Sequence, residues 1–261
     1  MEPALWISKS GLEAQDKNIA TIANNLANVN TTGYKRGRAI FEDLMYQNLR
    51  QAGAQSTANT QIPTGINMGT GVSLVATEKL FDQGDMQGTK NPLDVAVEGA
   101  GFMTVVMPDG SLAYTRDGNL KTNGSGQIVT SSGYPIQPSL TIPAETENIT
   151  IGTDGTVSVT VYGNTAPTIL GNIQLTSFIN PAGLQPVGQN LYTETQASGN
   201  PITDNPGNSG LGILLQGKLE ASNVNVVEEL VNMIQAQRSY EITAKSIQTV
   251  DSMLQYLNQV L

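Results

Sequence analysis

"VVEELVNMIQAQRSYEITAKSIQTVDSMLQYLNQVL", residues 226–261, carries large side chains at intervals of seven: Val226, Met233, Tyr240, Ile247, Leu254 and Leu261. Three residues beyond the members of that row stand Glu229, Ala236, Thr243, Val250 and Leu257, so the second row becomes consistently apolar only toward its end. A heptad repeat sustained this long predicts a helix that packs along a narrow seam, as in a coiled coil. Asn225 can cap it, with Glu228 at the reciprocal capping-box position, and Glu228 and Glu229 suit the positive end of the helix dipole. At 1.5 Å per residue such a helix is about 50 Å long.

The opposite end of the chain has the same character. Leu5, Leu12, Ile19 and Leu26 are again seven apart, and Ile22 and Val29 add a second position where Ser8 and Gln15 stood earlier. This helix runs into "ANNLANVNTTGYKR", residues 23–36. Asn24, Asn25 and Asn28 fall near its end, where backbone groups lack intrahelical partners, and an amide can both donate to and accept from such groups. Gly33 permits a left-handed turn out of the helix, and Tyr34 and Lys35 begin the next segment. Two long helices with narrow stripes need partners. The patterns leave open a parallel or antiparallel pair within one chain, or packing on the same helices of other subunits.

Between the ends the pattern changes. Residues 91–215 read as β: "LDVAV", "FMTVVM" and "LAYT" are short apolar runs, and "TVSVTVY" alternates Val157, Val159 and Val161 with Ser and Thr. "PDGS", "RDGN", "NGSG" and "NPAG" punctuate them as turns. Residues 37–90 are transitional, and "GAQSTANTQIPTGINMGTG" reads as an aperiodic loop or extended arm. The expected fold is mixed, mainly β with α. An N-terminal helix (1–36) and a C-terminal helix (216–261) form a coiled-coil core domain. Residues 37–90 are an arm or linker, and 91–215 form a barrel- or sandwich-like middle domain.

Composition narrows the function. The chain of 261 residues has neither Cys nor His, which removes disulfides, thiolate metal sites, and the commonest general base and metal ligand. "VEGAGF" lacks the spacing and following helix of a dinucleotide site. The Asp-Gly pairs at 109–110, 117–118 and 154–155 read as turns, outside the twelve-residue calcium pattern. No catalytic, cofactor or metal residues are expected. The net charge of −9 predicts no nucleic-acid surface, and "YKRGR" is too small a cationic patch to change that. Residues 91–210 hold only Arg116 and Lys121 as cations against nine acids, whereas the ends are nearly balanced. The opening "MEPALWISKSGLEAQ" has no basic region followed by an apolar run, and no stretch approaches the roughly 20 apolar residues of a membrane span. The expectation is a protein without a cleaved secretory signal or membrane insertion. Three classes remain: a self-assembling structural protein, an adhesin with coiled-coil ends, and a carboxylate enzyme such as a glycosidase, which needs two acids facing across a cleft.

"SGLEAQDKNIATIANNLANVNTTGYKR" closely resembles the N-terminal motif of the bacterial flagellar axial proteins of the rod and hook, and "EASNVNVVEELVNMIQAQRSYEITAKSIQTVDSMLQ" resembles their C-terminal signature. With "LWISKSGLEAQ", "YTRDG" and the length, the likeness is greatest to the distal-rod branch, with proximal rod or hook as the alternative. The resemblance implies a structural subunit that polymerises into a hollow helical tube, transmitting motor torque across the periplasm and passing exported subunits through its lumen. It implies terminal helices in an inner core, a β-rich outer domain, and a distal-rod-type insertion at 46–71 that makes the rod straight and stiff. Its implied partners are further copies of itself, proximal rod and hook-type axial proteins, the surrounding bushing rings and the flagellar export apparatus. On this reading the subunit-interface residues are Leu5, Leu12, Ile19, Ile22, Asn24, Asn25, Leu26, Asn28, Gly33, Tyr34, Lys35, Val226, Met233, Tyr240, Ile247, Val250, Leu254 and Leu257.

Overall fold

The computed structural model of the chain describes residues 2–53, 55–57, 60–61, 63–163 and 166–260. They form two compact units. One comprises Met1–Leu26, Gly37–Glu78 and Val226–Leu261; the other comprises Ala27–Arg36 and Lys79–Asn225.

In the first unit, helix α1 spans Glu2–Ala27 and helix α2 spans Val226–Val260. Two contacts fix their direction. Asn25 Nδ2 lies 3.3 Å from Glu229 Oε2, and a Cβ built on Gly11 would lie 3.6 Å from Thr243 Cγ2. Advancing from 11 to 25 on α1 therefore means retreating from 243 to 229 on α2, so the pair is antiparallel. The buried seam is narrow and, apart from Ile22 (6% exposed), made of small or polar residues: Ala14 (7%), Asn25 (2%), Glu229 (1%) and Ala236 (4%). Small side chains let two helices approach closely. Leu5, Leu12, Ile19 and Leu26 lie beside this seam on α1, whereas Ile247 and Leu254 stand about five turns beyond Glu229 and Ala236 and share their face of α2.

The 37–79 segment departs from the loop reading. Gly37–Asp43 pairs with Val72–Lys79, Leu44 N–H donates to Gly71 O at 2.9 Å, Gln47–Arg50 runs antiparallel to Ile66–Met68, and Gln55–Thr57 to Thr60–Gln61. These nested pairs make one long β-hairpin. Ladder bonds join backbone to backbone and need no side-chain pattern. A ribbon solvated on both faces shows little hydrophobic alternation, which is why periodicity missed it. Leu49, Ile66 and Met68 are exposed.

Among its described residues the second unit has β-strands and one turn of 3-10 helix at Pro181–Gly183. Its largest sheet runs in the order Gln185–Gly188, Leu191–Thr193, Leu112–Thr115, Phe102–Val106, Leu175–Ser177, Ile202–Asp204, with Ile136–Gln137 also on Phe102–Val106. Thr146–Ile151, Thr156–Val161 and Thr168–Asn172 form a three-stranded sheet; Val157 and Val159 point inward as their alternation requires. The strands do not close into a barrel. Strands also lie beyond the expected 91–215 interval: Met86–Gly88 pairs with Lys218–Glu220. An aliphatic core surrounds Val95, Val105, Leu120, Val157, Leu175 and Leu214. A separate aromatic cluster holds Phe102, Tyr114, Phe178 and Tyr192, with Phe81 against it. Its rings meet edge to face, as aromatic quadrupoles prefer, with Tyr114 and Phe178 centroids 4.7 Å apart.

Candidate functional site

On the helices, the residues picked from the heptads fall into two groups. Leu5, Leu12, Ile19 and Leu26 are half-buried beside the seam, Met233, Ile247, Val250 and Leu254 are half-buried on the seam side of α2, and Val226 and Tyr240 are exposed. The side chain of Leu257 lies outside the described residues. Further apolar side chains on α2 face solvent, among them Val227 (70%), Ile234 (50%), Ile242 (68%) and Tyr256 (69%). Ile22, by contrast, is used inside the pair.

The asparagines also divide. Asn24 is exposed and Asn28 half-buried, its Oδ1 accepting from Thr31 Oγ1 at 3.2 Å. Asn25 turns inward and works as a hub. Its amide donates to Gly37 O at 2.8 Å and accepts from Gly37 N–H at 2.8 Å, reproducing a strand-like pair with the backbone where the hairpin begins. The same Nδ2 reaches Glu229 at the start of α2. One amide thus ties together the end of α1, the base of the hairpin and the first turn of α2.

Gly33, Tyr34 and Lys35 lie buried in the β unit of their own chain. Gly33 has φ +67°, and a Cβ there would sit 2.7 Å from the Arg116 carbonyl carbon, so both conformation and space demand glycine. Its N–H donates to Glu220 O at 2.9 Å. Lys35 Nζ donates to Glu220 Oε1 at 2.6 Å and to Asp82 O at 2.8 Å. Arg116 reaches Glu220 Oε2 at 3.3 Å, gives Nη2 to Gly99 O at 2.6 Å, and lies 5.4 Å from the Phe102 ring centroid. The side chains of Lys35 and Glu220 are fully buried. Burial pulls both the Lys35 ammonium and the Arg116 guanidinium below their ordinary pKa, against the opposing pull of Glu220. Burial does the same to Lys79, whose ammonium lies 4.2 Å from the Tyr34 ring centroid. One carboxylate therefore bridges two cations in a dry interior: loss of Glu220 leaves both uncompensated, whereas loss of one cation removes its own bonds and leaves Glu220 paired with the other.

Arg116, Glu220 and Asn223 escaped sequence reasoning. A signal for Arg116 was present: it is one of two cations in an otherwise acidic β segment, in "YTRDG" at the end of a strand, where a cation implies a buried partner. Nothing local marks Glu220 as that partner. The Asp-Gly sites are occupied by turn bonds: Asp109 accepts from Ser111 N–H at 3.0 Å, Asp154 from Thr156 N–H at 3.1 Å, and Asp117 from Asn119 N–H at 3.1 Å. Among the described residues, no group of three or more acids is placed to hold a metal ion, and no helix is long and apolar enough to cross a membrane.

Three family models match the sequence. "Flagella basal body rod protein" covers residues 5–35, "Flagellar hook protein FlgE/F/G D1 domain" covers 96–159, and "Flagellar basal body rod FlgEFG protein C-terminal" covers 215–260. Flagellar basal-body rod protein FlgG of Buchnera aphidicola subsp. Schizaphis graminum is 56% identical over the whole of both chains. FlgG of Borreliella burgdorferi is 49% identical over 100% of this chain and 99% of its own. The flagellar hook-basal body complex protein FlhP of Bacillus subtilis is 31% identical over 98% of each.

Proposed function

The chain belongs to the flagellar basal-body rod protein family, and from that premise we propose how it acts as a structural subunit of the distal rod. The α1–α2 pair is the assembly element. Its internal seam uses Ala14, Ile22, Asn25, Glu229 and Ala236, while Val227, Ile234, Ile242 and Tyr256 lie on the opposite face of α2. That division carries the proposal. Exposed Val227, Ile234, Ile242 and Tyr256 on one polar-flanked helix are a surface that gains free energy when the same helices of other copies cover it, at about 25 cal/mol per Å² of apolar area. Leu5, Leu12, Ile19, Leu26, Met233 and Tyr240 extend this surface around the pair.

Repetition of one such heterologous contact without closure builds a helical polymer. The tube so formed is the drive shaft: torque passes from subunit to subunit, and later subunits pass through the lumen. The rod lies in the periplasm, and its subunits reach it through the flagellar export apparatus. Proximal rod and hook-type axial proteins adjoin its ends, and bushing rings surround it. The β-hairpin, whose 46–71 half lies farthest from its base, braces neighbouring subunits.

Ile242→Asp and Val227→Asp test the helix surface. Both positions face solvent in the single subunit, so circular dichroism and denaturant unfolding of the monomer stay unchanged. Filament formation, followed by electron microscopy, is abolished. Normal filaments from both variants overturn the assignment.

A further inference from the structure

The chain passes between the two units four times, and three of the crossings, after Arg36, before Lys79 and after Asn225, adjoin one group of side chains. Asn223 Oδ1 accepts from Arg36 N–H at 2.7 Å, and its Nδ2 donates to Leu80 O at 2.9 Å and to Asp82 O at 3.0 Å. Leu80 N–H donates to Arg36 O at 2.9 Å. Lys35 and Glu220 add the buried ion pair one residue further in, and Glu220 Oε1 also accepts from Gly84 N–H at 3.0 Å. Three segments, 33–36, 80–84 and 220–223, are thereby tied side by side.

The bonds also fix direction. Gly33 faces Glu220 and Arg36 faces Asn223, so 33–36 and 220–223 run parallel. The first segment follows α1 and the second precedes α2. Tension on the two helices therefore pulls the first from its N-terminal end and the second from its C-terminal end. Parallel neighbours pulled in this way slide past one another. All their cross-links are strained together, and none can peel first.

We propose that Lys35, Glu220 and Asn223 form a shear clamp that keeps the β unit closed when the helices are pulled apart along the chain. The clamp matters to the cell on the reading that this subunit transmits torque, but it is a property of one subunit and is tested on one. The ion pair suits that role because it is buried from water, which cannot insert between the partners to replace a strained bond.

The chain has no cysteine, so thiol handles can be placed at will. In the full-length protein, Ala27→Cys with Val227→Cys applies force along the clamp, and Gly124→Cys with Ala182→Cys applies it between two points of the β unit that are not on the three tied segments. Single-molecule force spectroscopy then reads the unfolding rate at constant force. Lys35→Met is expected to speed unfolding about ten-fold or more along the 27–227 axis and to change it by less than about two-fold along 124–182. Asn223→Ala removes uncharged bonds alone; it has the same directional effect, smaller, and decides between the outcomes if Lys35→Met does not fold. Equal acceleration along both axes would reduce the cluster to ordinary stability and overturn the clamp, as would no acceleration along the first. Failure of filament assembly in the helix-surface variants bears on the proposed function and leaves this measurement untouched.

Discussion

Gly33 joins the segment after α1 to the β unit at a point where no other residue fits. Gly33→Ala is expected to cost the β unit about 1–3 kcal/mol, because the left-handed φ is strained and the new methyl meets the Arg116 backbone; a fall in the denaturant midpoint measures it. Ionisation provides a second test at this scale. Burial first, then Glu194, pushes the Tyr114 hydroxyl up to about 12 from 10.0, and burial raises Tyr192 as well. A raised folded-state pKa means that this stabilisation is complete below pH 10 and is lost as pH climbs from 10 toward 12. Lys35 acts in the opposite sense. Its lowered pKa makes its charge a cost at neutral pH, relieved as pH rises toward 10.5. The β unit should therefore hold its stability up to about pH 10 and lose it above, with tyrosinate absorbance rising together with the loss of near-ultraviolet dichroism. Early, non-cooperative ionisation of all tyrosines would show that the aromatic cluster is open.

Among the elements, α2 has a face that serves its own chain and faces that do not. Ala236→Leu forces bulk into the seam opposite α1 and should loosen the helix pair by about 1–3 kcal/mol, whereas Ile242→Ala, at a solvent-facing position, should change monomer stability by about 0.5 kcal/mol or less. Comparison of the two melts separates the faces. The hairpin is a different kind of element: a backbone ladder joins its strands, and Met45 (86% exposed), Tyr46 (57%) and Leu49 (62%) face outward. If it braces neighbours, removing 46–71 should leave assembly possible and yield filaments that bend more readily. Persistence length by electron microscopy is the readout, and equal stiffness with and without the segment would leave rigidity to the helices.

For the whole molecule, the β unit is not a contiguous stretch of sequence. Lys35, Phe81 and Glu220 belong to its interior but lie outside 91–215. A fragment of 91–215 loses Lys35, one aromatic ring and Glu220 with its strand pair, leaves Arg116 without its carboxylate, and is expected to lack native near-ultraviolet dichroism. A fragment of 27–225 keeps them all and should fold. Limited proteolysis of the intact monomer should accordingly leave a resistant β core that retains the 27–36 peptide, by covalent linkage or by the clamp. A resistant product without that peptide would show the segment to be dispensable.

Sequence alone determined the parts whose physics is local. Heptad spacing set the two helices, alternation set strands such as Thr156–Val161, Asp-Gly pairs set turns, and the paired terminal motifs pointed to the family. Gly33 was legible as a turn because a left-handed φ has few other solutions. Tertiary structure decided everything that depends on which surfaces meet. Whether a leucine row faces its own partner helix or solvent cannot be read from one helix, because seven-residue spacing is the same in both cases. Here the most buried positions of the seam went to Ala14, Ile22, Asn25, Glu229 and Ala236, the alanines allowing close approach. The aperiodic arm became a hairpin because backbone pairing leaves no mark on side-chain pattern. Lys35 found Glu220 across 185 residues of chain, and no local rule could name that partner: a buried charge demands compensation, but only the fold determines which carboxylate is near enough to provide it.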